Sequence, residues 1–518
     1  MPRSSFSVSE EQARQAGVNW LPDPKDWLPY PFGHRTDSNS QHREFYVSNS
    51  GDDNNPGTKG KPWKSIDRVN KEHLVAGDSV HFHAGQKFTG NLVIDGLAKA
   101  PAGSNASLGD WLHWLAFPKD SINISTYGGS RRATIEAHDG TAILAKNTGN
   151  ISVRNLELSG DRSTNSGFGV EVLNQTKSRL NNVWLDNLDA HGFKWVGLYV
   201  GGAPPLPGFH PQQRPERWGF NHVLISNSDA HDNTYYGVLT SGPWPYEIPP
   251  DGSHPKNPGY ANADVRVINV NAHHNPGDPN YHENHSGSGI LIDDTDGYLV
   301  EFSKEWHNGA DNGSQSGGPV GVWANQANRG LIQFNESFDN RSGGLADGAG
   351  VDLDGGVTNS ISQFNYTHDN DGAGQLVWNY WGSLRDLAHN TVRYNLSVND
   401  ARKFSYGGIQ IGNSGQEVHD IDVYGNITYM TKSGNRPALA SPTGLYIVGS
   451  NPNTNINYWN NVLITGKGVP QVEVTPNSSA WIRRNVFIHP PGALEIKYNG
   501  KIYHSLKDFE NATKNVKP

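Results

Sequence analysis

The sequence predicts an all-β solenoid, in which each coil of the chain stacks its strands on the strands of the coil before it. Three observations lead to this prediction: a glycine-led strand pattern that recurs along the chain, an asparagine that recurs with a similar period, and the scarcity of helical patterns. Tandem globular domains are disfavoured because no Pro- or Ser-rich linker separates the copies.

The glycine-led pattern alternates apolar and variable residues. After each glycine the first and third positions are nearly all Val, Ile or Leu, whereas the second and fourth positions vary widely. The copies begin at Gly169, Gly197, Gly237, Gly289, Gly321, Gly350, Gly374, Gly408 and Gly444. Because strand side chains alternate between two faces, this period of two predicts strands with one buried face.

A second pattern centres on an asparagine that recurs once in each copy. Its members are Asn155, Asn187, Asn227, Asn269, Ser303, Asn335, Asn365, Asn395 and Asn426. The last three steps are 30, 30 and 31 residues, whereas two earlier steps of 40 and 42 residues imply inserted loops. Since stacked amides hydrogen-bond along β structures, the spacing predicts one asparagine ladder at a turn of the solenoid.

Few segments have a helical period with a polar start. They are Ser9–Ala16, Ser65–Glu72 and Ser505–Thr513. We interpret the first and last as caps over the open ends of the solenoid. The predicted organisation is an N-terminal extension and cap at 1–44, a solenoid at 45–485 and a C-terminal cap segment at 486–518.

Four long insertions flank the predicted strands. They are Ala203–Phe220, Pro243–Ala263, Pro276–Ser288 and Asn308–Pro319. The first two follow repeat strands and the last two precede them, so that stacked copies would place all four beside one face. Long insertions of this kind are usually functional, and we expect them to wall a groove.

The outward-facing positions in the middle of the stack carry acids and aromatic residues. The polar members are Asp293, Asp294, Asn325, Asp352 and Asp354, and the aromatic members are Trp323 and Trp378, with Trp381 and Tyr199 as further candidates. Aromatic platforms that stack sugar rings, together with a pair of carboxylates at the scissile bond, are what glycoside hydrolysis requires. The pattern therefore predicts a carbohydrate site.

The expected spacing indicates which carboxylates act together. Asp352 and Asp354 would lie ~6–7 Å apart along one strand, and Asp293 would lie ~9–10 Å from Asp354, two coils away. Retaining glycosidases need carboxyls ~5–5.5 Å apart and inverting enzymes ~6.5–9.5 Å, so the spacing favours inversion. Asp352 and Asp354 are the leading acid, base or nucleophile candidates, with Asp293 or Asp294 as a third carboxylate, and crowding should raise at least one pKa.

Two other interpretations stay open for these acids. Asp-Gly-Gly at 354–356 and the acidic run at 293–297 also suit ordinary turns, and Asp-rich loops suit Ca²⁺. His191, His231, His273 and His307 recur at one offset from the asparagines, so they form either a metal-binding column or a turn filler. No cofactor is predicted, and Ca²⁺ is the alternative that the acids leave open.

Composition excludes several functional classes. Lys and Arg number 42 against 51 Asp and Glu, a net charge of −9, and no basic run occurs, so we expect neither a nucleic-acid nor an anionic-membrane surface. With no cysteine there is no disulfide framework and no thiolate chemistry. No apolar run approaches the ~18 residues of a membrane span. We expect a secreted protein whose signal peptide has been removed.

Several segments resemble a known group of proteins. They are FYVS at 45–48, GDDNNPGT at 51–58, PWKSI at 62–66, GDSVHFHAG at 77–85, DGAGVDLDGGVTNS at 347–360 and YTHDNDGAG at 366–374. The chain thereby resembles secreted right-handed parallel β-helix proteins of the pectin-lyase-like, carbohydrate-active type. The resemblance implies that fold over roughly residues 45–485, but that group includes hydrolases, lyases and epimerases.

Polygalacturonase-like glycosidases are the most similar in their carboxylates, since they carry three Asp on adjacent strands, two of them as a pair. Here the pair Asp293-Asp294 precedes the other acids, and the Gly-His-Gly and Arg-Ile-Lys motifs are missing. Lyases of the group use a cation and a Lys or Arg base, but the outward positions at 289–380 carry neither residue. Arg385, Arg402 or Lys403 could still reach in from a later coil.

The sequence therefore predicts a glycoside hydrolase that acts in a groove on the solenoid. A uronate-specific polysaccharide lyase, with or without Ca²⁺, and a non-catalytic glycan-binding solenoid are the alternatives.

Overall fold

The computed structural model describes residues 42–96, 121–204, 206–207, 218–242, 259–432 and 441–516. The segment Ser9–Ala16 and most of the insertions Ala203–Phe220 and Pro243–Ala263 lie outside the described residues. Strands are numbered in chain order from β1 to β41, and helices as α1 and α2.

All 41 strands of the described residues belong to three long sheets, through which the chain passes in turn, coil after coil. The first sheet contains β1 (Glu44–Val47), β2 (Ser79–His83), β5 (Ile122–Tyr127), β8 (Ile151–Arg154), β11 (Leu180–Asp186), β14 (Phe220–Ser226), β17 (Asn262–Ile268), β20 (Thr295–Glu301), β23 (Asn328–Gln333), β26 (Ile361–Gln363), β29 (Leu387–Arg393), β32 (Val418–Tyr424), β35 (Asn453–Trp459) and β38 (Ser478–Arg483).

The second sheet contains the glycine-led strands. It is made of β4 (Leu92–Asp95), β7 (Ile143–Lys146), β10 (Val170–Leu173), β13 (Val196–Gly201), β16 (Tyr236–Ser241), β19 (Ser288–Asp293), β22 (Val320–Asn325), β25 (Ala349–Asp354), β28 (Gln375–Asn379), β31 (Gly407–Asn413), β34 (Thr443–Gly449), β37 (Val472–Val474), β40 (Ile496–Tyr498) and β41 (Lys501–Tyr503).

The third sheet has shorter strands. It is made of β3 (Lys87–Thr89), β6 (Ala133–Glu136), β9 (Leu156–Ser159), β12 (Asp189–His191), β15 (Asp229–His231), β18 (Asn271–His273), β21 (Lys304–Trp306), β24 (Glu336–Phe338), β27 (Tyr366–His368), β30 (Leu396–Val398), β33 (Ile427–Met430), β36 (Val462–Thr465) and β39 (Val486–Ile488).

Each strand pairs in parallel with its counterpart one coil later, and the last pair, β40 with β41, is antiparallel. In the second sheet, for example, Ile290 lies beside Val322, which lies beside Val351, and all three point into the interior and are buried. Burial of such apolar columns is the main stabilising contribution to a solenoid of this kind. The architecture confirms the predicted solenoid and the right-handed parallel β-helix that the resemblance implied.

Two predicted helices are present where a serine begins them. Helix α1 (Ile66–Asn70) has Ser65 as its N-cap, and helix α2 (Leu506–Thr513) has Ser505. Phe509 of α2 is buried against Tyr498 and Tyr503 on the last two strands of the second sheet, so the helix covers apolar residues at this end of the solenoid. Neither helix is long or apolar enough to cross a membrane, and no other occurs among the described residues.

The prediction of one asparagine ladder is wrong, because two ladders run one residue out of step. Asn335, Asn365, Asn395 and Asn426 point inward, and each donates its side-chain N–H to the amide oxygen of the next asparagine, the last being Asn461, at 2.9–3.1 Å. Asn155, Asn187, Asn227 and Asn269 lie one position earlier, outside, in left-handed backbone. Asn269 therefore aligns with Phe302, and Val270 with Ser303. Asparagine favours both environments, so spacing alone does not separate them.

The histidine column is shifted in the same way. His191, His231 and His273 stack face to face at 4.9–5.0 Å between ring centroids, but the next ring in the stack is Trp306. His307 follows Trp306 and hydrogen-bonds to His274 instead. In the part of the chain that the structure describes, no group of three or more His, Asp or Glu side chains is arranged to hold a metal ion.

Candidate active site

The outward face of the second sheet carries two parallel rows of side chains in the predicted register. One row is Leu291, Trp323, Asp352 and Leu376, and the other is Asp293, Asn325, Asp354 and Trp378. Each residue lies beside its counterpart one coil away. Acids that are separated by tens of residues in the chain are therefore neighbours on this face, which confirms the expected alignment of the glycine-led strands.

This outward face is nevertheless shielded from solvent. Asp293 is 0% exposed, Asp352 3% and Trp323 3%, whereas Asp354 is partly exposed. Oδ1 of Asp352 and Oδ1 of Asp354 are buried, and neither atom has a hydrogen-bond partner among the described residues. A buried carboxyl without hydrogen bonds strongly disfavours its charged form.

Burial and mutual repulsion together raise the pKa values of this acid pair. Burial raises the pKa of Asp352 well above its usual range, and the charges of Asp354 and Asp347 raise it further. Burial also raises the pKa of Asp354, which the charge of Asp347 reinforces and the backbone N–H of Gly355 opposes. The N–H of Gly355 stabilises the anion of Asp354, whereas no described backbone N–H does so for Asp352, and this difference favours Asp352 as the protonated member of the pair.

Asp347 is a third carboxylate of this cluster, and the sequence reasoning did not select it. It lies in the loop before β25 and accepts hydrogen bonds from the backbone N–H of Gly318 at 2.6 Å and the hydroxyl of Tyr406 at 2.7 Å. Burial raises the pKa of Asp347, but these two bonds oppose the rise. Asp347 is thus the acid of the cluster whose anionic form has the most hydrogen-bond support.

Asp293 is linked to the cluster through Asn325. The side-chain amide of Asn325 donates to Oδ1 of Asp293 at 3.2 Å, and its oxygen accepts from the hydroxyl of Tyr380 at 3.3 Å. Burial and the charges of Asp354 and Asp293 raise the pKa of Tyr380, which keeps its hydroxyl neutral. Tyr380 is a second residue that sequence reasoning did not find.

Asp294 lies apart from the other acids. It follows β19 in left-handed backbone, so its side chain leaves the face at the corner of the coil. Its Oδ1 is 4.0 Å from Nη2 of Arg385, which also donates to the backbone oxygen of Gly259 at 2.8 Å and stacks on Tyr260. The structure thus brings Asp293, Asp352 and Asp354 together and places Asp294 beside a cation.

The four predicted aromatic platforms differ in accessibility. Trp323 is covered by the ring edge of His285, 4.9 Å away, from the insertion Pro276–Ser288. Tyr199 is fully buried, with its hydroxyl 3.2 Å from that of Ser241. Trp378 is partly exposed, whereas Trp381 is 75% exposed and lies against Gly415. Sugar rings can therefore reach Trp378 and Trp381 but not Trp323 or Tyr199 in this conformation.

Glycine at position 412 makes room for Trp378. A Cβ at Gly412 would lie 2.6 Å from the indole of Trp378, which leans over the next coil. The two residues are direct neighbours in the sheet register. Any larger residue at 412 would displace the indole.

His285 is a further residue that the sequence reasoning missed. Burial lowers its pKa to about 4, so the imidazole is neutral at neutral pH. Its Nδ1 lies 3.3 Å from the hydroxyl of Tyr236. Asp347, Tyr380, Tyr406 and His285 all lie outside the two rows, in loops or insertions. The only sequence signal was for Asp347, which opens the same glycine-rich block that contains Asp352 and Asp354.

The cations expected from a later coil do not face the acid pair. Nζ of Lys403 donates to the backbone oxygens of Ser342 and Gly344. Arg402 donates to the backbone oxygens of Asp400 at 3.1 Å and Thr431 at 2.7 Å. Arg385 is occupied beside Asp294, as described above. Among the described residues, these hydrogen bonds hold the cationic groups in the loops rather than over Asp352.

Comparisons with known proteins give fold likenesses only. No protein-family model and no curated protein sequence matches this chain. A solved GH136 lacto-N-biosidase from Eubacterium ramulus is similar at 17% identity over 86% of this chain and 68% of that chain, with a TM-score of 0.46.

Two other solved structures are similar at lower TM-scores. The A-module of a mannuronan C-5 epimerase from Azotobacter vinelandii shares 15% identity over 79% of this chain and 90% of that chain, with a TM-score of 0.42. Pectate lyase Pel9A shares 13% identity over 74% and 78%, with a TM-score of 0.34. At these identities and TM-scores, the likenesses carry no argument about the activity of this chain.

Proposed function

We propose that this protein is a glycoside hydrolase that cleaves a poly- or oligosaccharide on the outward face of the second sheet, with Asp352 and Asp354 as the catalytic pair. The observation that carries the proposal is the state of these two carboxyls. They lie two residues apart on one strand, burial raises both pKa values, and each has a buried oxygen without a hydrogen-bond partner among the described residues. Buried carboxyl oxygens normally have such partners, and Asp352 and Asp354, unlike the inward-pointing Glu305, lie on the outward face of their sheet.

The environments of the acids support distinct roles. Asp352 retains its proton and donates it to the glycosidic oxygen as the bond to the anomeric carbon breaks, leaving one sugar with a new hydroxyl. Asp354, ionised, either removes a proton from the water that attacks the anomeric carbon, or attacks that carbon itself to form a glycosyl ester, which water then hydrolyses as Asp352 takes back a proton. Asp347 supplies the negative charge that keeps Asp352 protonated. Asp293, itself buried, accepts the side-chain N–H of Asn325 and thereby positions Asn325 beside Asp354.

The positions of the cations favour hydrolysis over elimination. A uronate lyase needs a free base and a cation beside the uronate carboxylate, but Lys403 and Arg402 are hydrogen-bonded to loop carbonyls. Arg385 lies beside Asp294, away from Asp352. Raised carboxyl pKa values, by contrast, are the property that a glycosidase acid needs at neutral pH.

We further propose a glycan as the binding partner, with Trp378 and Trp381 as the accessible stacking platforms, and a secreted location. No cofactor is required by this mechanism, so a chelator should leave the activity unchanged. A turnover that needs Ca²⁺ would favour the alternative in which the acids hold a cation.

A panel of plant, algal and microbial glycans tests the proposal. Products are measured for new reducing ends and, in parallel, for the ultraviolet absorbance of unsaturated uronates. We expect reducing ends without unsaturation on at least one glycan. Unsaturated products would identify a lyase, and retention of a glycan without any shortening would identify a binding protein.

A further inference from the structure

The outward face of the third sheet changes from polar to apolar along the solenoid. Each of its strands turns two residues outward, and these residues form two rows that follow the solenoid axis. From β9 to β27 every outward pair contains a charged residue or a histidine. In the last four strands the outward pairs are apolar apart from one tyrosine hydroxyl. They are Leu396 with Val398, Ile427 with Tyr429, Val462 with Ile464, and Val486 with Ile488.

A column of stacked rings extends this apolar surface to the corner between the first and third sheets. Its members are Phe302, Phe334, Phe364 and Tyr394, whose ring centroids are 5.2–5.3 Å apart and whose ring planes differ by 5–15°. Tyr394 leans towards the next coil, where a Cβ at Gly425 would lie 2.5 Å from its ring. Because the ring faces cover one another, their edges form an apolar ridge. The eight outward residues and this column are together called the apolar face.

The apolar face exposes more hydrophobic surface than monomeric proteins usually do. Seven of the thirteen exposed large apolar side chains among the described residues belong to it, each 38–53% exposed. They are Phe302, Tyr394, Leu396, Ile427, Tyr429, Val486 and Ile488. At roughly 150–200 Å² for one complete side chain, these seven expose on the order of 500 Å². Contiguous apolar patches above a few hundred Å² mark interaction sites in most soluble proteins.

A second copy of this chain fits the apolar face in size. Two such faces in contact would remove on the order of 1,000 Å² of apolar surface from water, which reaches the area of a specific protein interface. Sheet faces also pack readily on each other, ~10 Å apart, with interdigitating side chains. The shape and area of the face therefore suit a contact between two solenoids.

The absence of charge on the apolar face favours the same partner. A two-fold contact sets one patch against its own copy, so any charge near the axis meets a like charge. None of the eight outward residues from Leu396 to Ile488 is charged. The earlier strands of the same sheet would instead place acids such as Asp189 and Asp229 against their copies. Self-association is thus compatible with the last four strands and disfavoured on the others.

We propose that the protein is a homodimer in which the apolar faces of two copies pack against each other. The inference is independent of the proposed hydrolase, because the acid cluster lies on the second sheet and the contact uses the third. The outward face of the second sheet stays free in each copy. A dimer would therefore present two acid clusters to one polymer, which raises its effective affinity for a long chain.

Sedimentation velocity of the full chain tests the proposal, from about 1 to 100 µM protein. Ile427→Lys and Val486→Lys each place a lysine on the apolar face. Val93→Lys is the matched control, since Val93 is an outward valine of β4 in the second sheet, 45% exposed against 53% for Val486. Both test positions are exposed and a lysine stem tolerates such sites, so we expect the variants to fold, with thermal unfolding as the check.

We expect the wild type to dimerise with a micromolar or tighter dissociation constant. Each lysine on the apolar face should raise that constant at least about tenfold, because two ammonium groups lose water and approach each other across the contact. Val93→Lys should dimerise as the wild type does.

A unique thiol locates the contact without adding charge. The chain contains no cysteine, so Val486→Cys and Val93→Cys each introduce a single reactive group. We expect the rate constant for maleimide labelling of Val486→Cys to fall about fivefold or more between 1 and 100 µM protein, as the dimer forms. The rate constant for Val93→Cys should not change with protein concentration.

Three results would overturn the proposal. The first is a wild type that stays monomeric at about 100 µM. The second is a dimer that both lysine variants retain, since the contact would then use another face. The third is slow labelling of Val486→Cys at every protein concentration, because another part of this chain would then cover the face. Assembly is measured without substrate, so these results leave the proposed cleavage by Asp352 and Asp354 to its own test.

Discussion

The hydroxyl of Tyr406 donates a hydrogen bond to Oδ1 of Asp347 at 2.7 Å, and the backbone N–H of Asp347 donates to the same hydroxyl at 3.2 Å. This reciprocal contact joins loops that are 59 residues apart in the chain. It holds a carboxylate beside Asp352, and the charge of Asp347 raises the pKa of Asp352. The pair thereby links a loop geometry to the protonation of the proposed general acid.

Replacement of Asp347 should change the pH dependence of catalysis. Asp347→Asn removes a negative charge near Asp352, so the pKa of Asp352 falls and the acid loses its proton at lower pH. We expect the basic limb of the kcat/KM profile to move to lower pH by about one unit. Asp67→Asn, on the exposed side of α1, serves as the control. If the basic limb of the Asp347→Asn profile does not move, the charge of Asp347 does not raise the pKa of the general acid.

Trp378 should contribute to glycan binding rather than to the chemical step. Trp378→Ala removes the partly exposed indole beside Asp354, and we expect KM to rise about three- to tenfold with kcat nearly unchanged. Trp459→Ala removes an indole from the first sheet, stacked on Tyr424, and should leave both constants unchanged. If the two variants have the same KM, sugars do not stack on Trp378.

The two asparagine ladders should contribute differently to the free energy of unfolding of the protein. Asn365 is buried, and its side chain accepts from Asn335 and donates to Ile332 and Asn395, so Asn365→Ala leaves buried groups unpaired. We expect a loss of about 3 kcal/mol in the free energy of unfolding in urea. Asn269→Gly, in the exposed outer ladder, keeps the left-handed backbone and should cost less than about 1 kcal/mol. Equal losses of unfolding free energy in Asn365→Ala and Asn269→Gly would show that the inner ladder stabilises the protein no more than the outer one.

Glu305 should make stability depend on pH. It points into the interior at the position where the three preceding coils carry Ala190, Ala230 and Ala272. It is fully buried, and neither carboxyl oxygen has a partner among the described residues. Burial, with the charge of Glu336, raises its pKa well above the usual range. At neutral pH the unfolded chain therefore ionises this group more readily than the folded one does.

It follows that the free energy of unfolding falls as pH rises from about 4.5, the usual Glu range, towards the raised pKa. Glu305→Gln removes this contribution, so the variant should match the wild type at pH ~4 and exceed it by about 1–3 kcal/mol at pH ~8. In Glu305→Gln the free energy of unfolding still depends on pH, though less than in the wild type, because Asp352 and Asp354 also have raised pKa values. Parallel stability profiles of the two proteins would show that Glu305 is not ionised on unfolding.

The sequence was sufficient for the solenoid and for the register of its second sheet. Alternation of period two assigns residues to the inside or outside of a coil, and repetition aligns the coils, so Asp293, Asn325 and Asp354 could be placed in one row. The same alternation does not say whether an outward residue is exposed. Tyr199 and Trp323 face outward and are still buried, Trp323 beneath His285 of an insertion.

The remaining differences come from contacts that no local pattern encodes. A shift of one residue separates Asn269 from the inner ladder and His307 from the histidine stack, and both positions accept the same residue types. Asp347 and Tyr406 meet only because two loops that are two coils apart, before β25 and before β31, approach each other. Such contacts depend on loop conformations, which the repeat does not determine.

Substitution of Asp352 and Asp354 tests directly whether these two carboxyls catalyse glycan hydrolysis. Initial rates of reducing-end release are measured for wild type, Asp352→Asn and Asp354→Asn on a glycan that the wild type cleaves, with thermal unfolding as the check on folding. Asp229→Asn, an outward carboxyl of the third sheet, is the matched control. We predict that both active-site variants fold and lose about 10²–10⁴ of the rate, with the control unchanged. Wild-type rates in folded Asp352→Asn and Asp354→Asn would show that these two residues are not the catalytic pair.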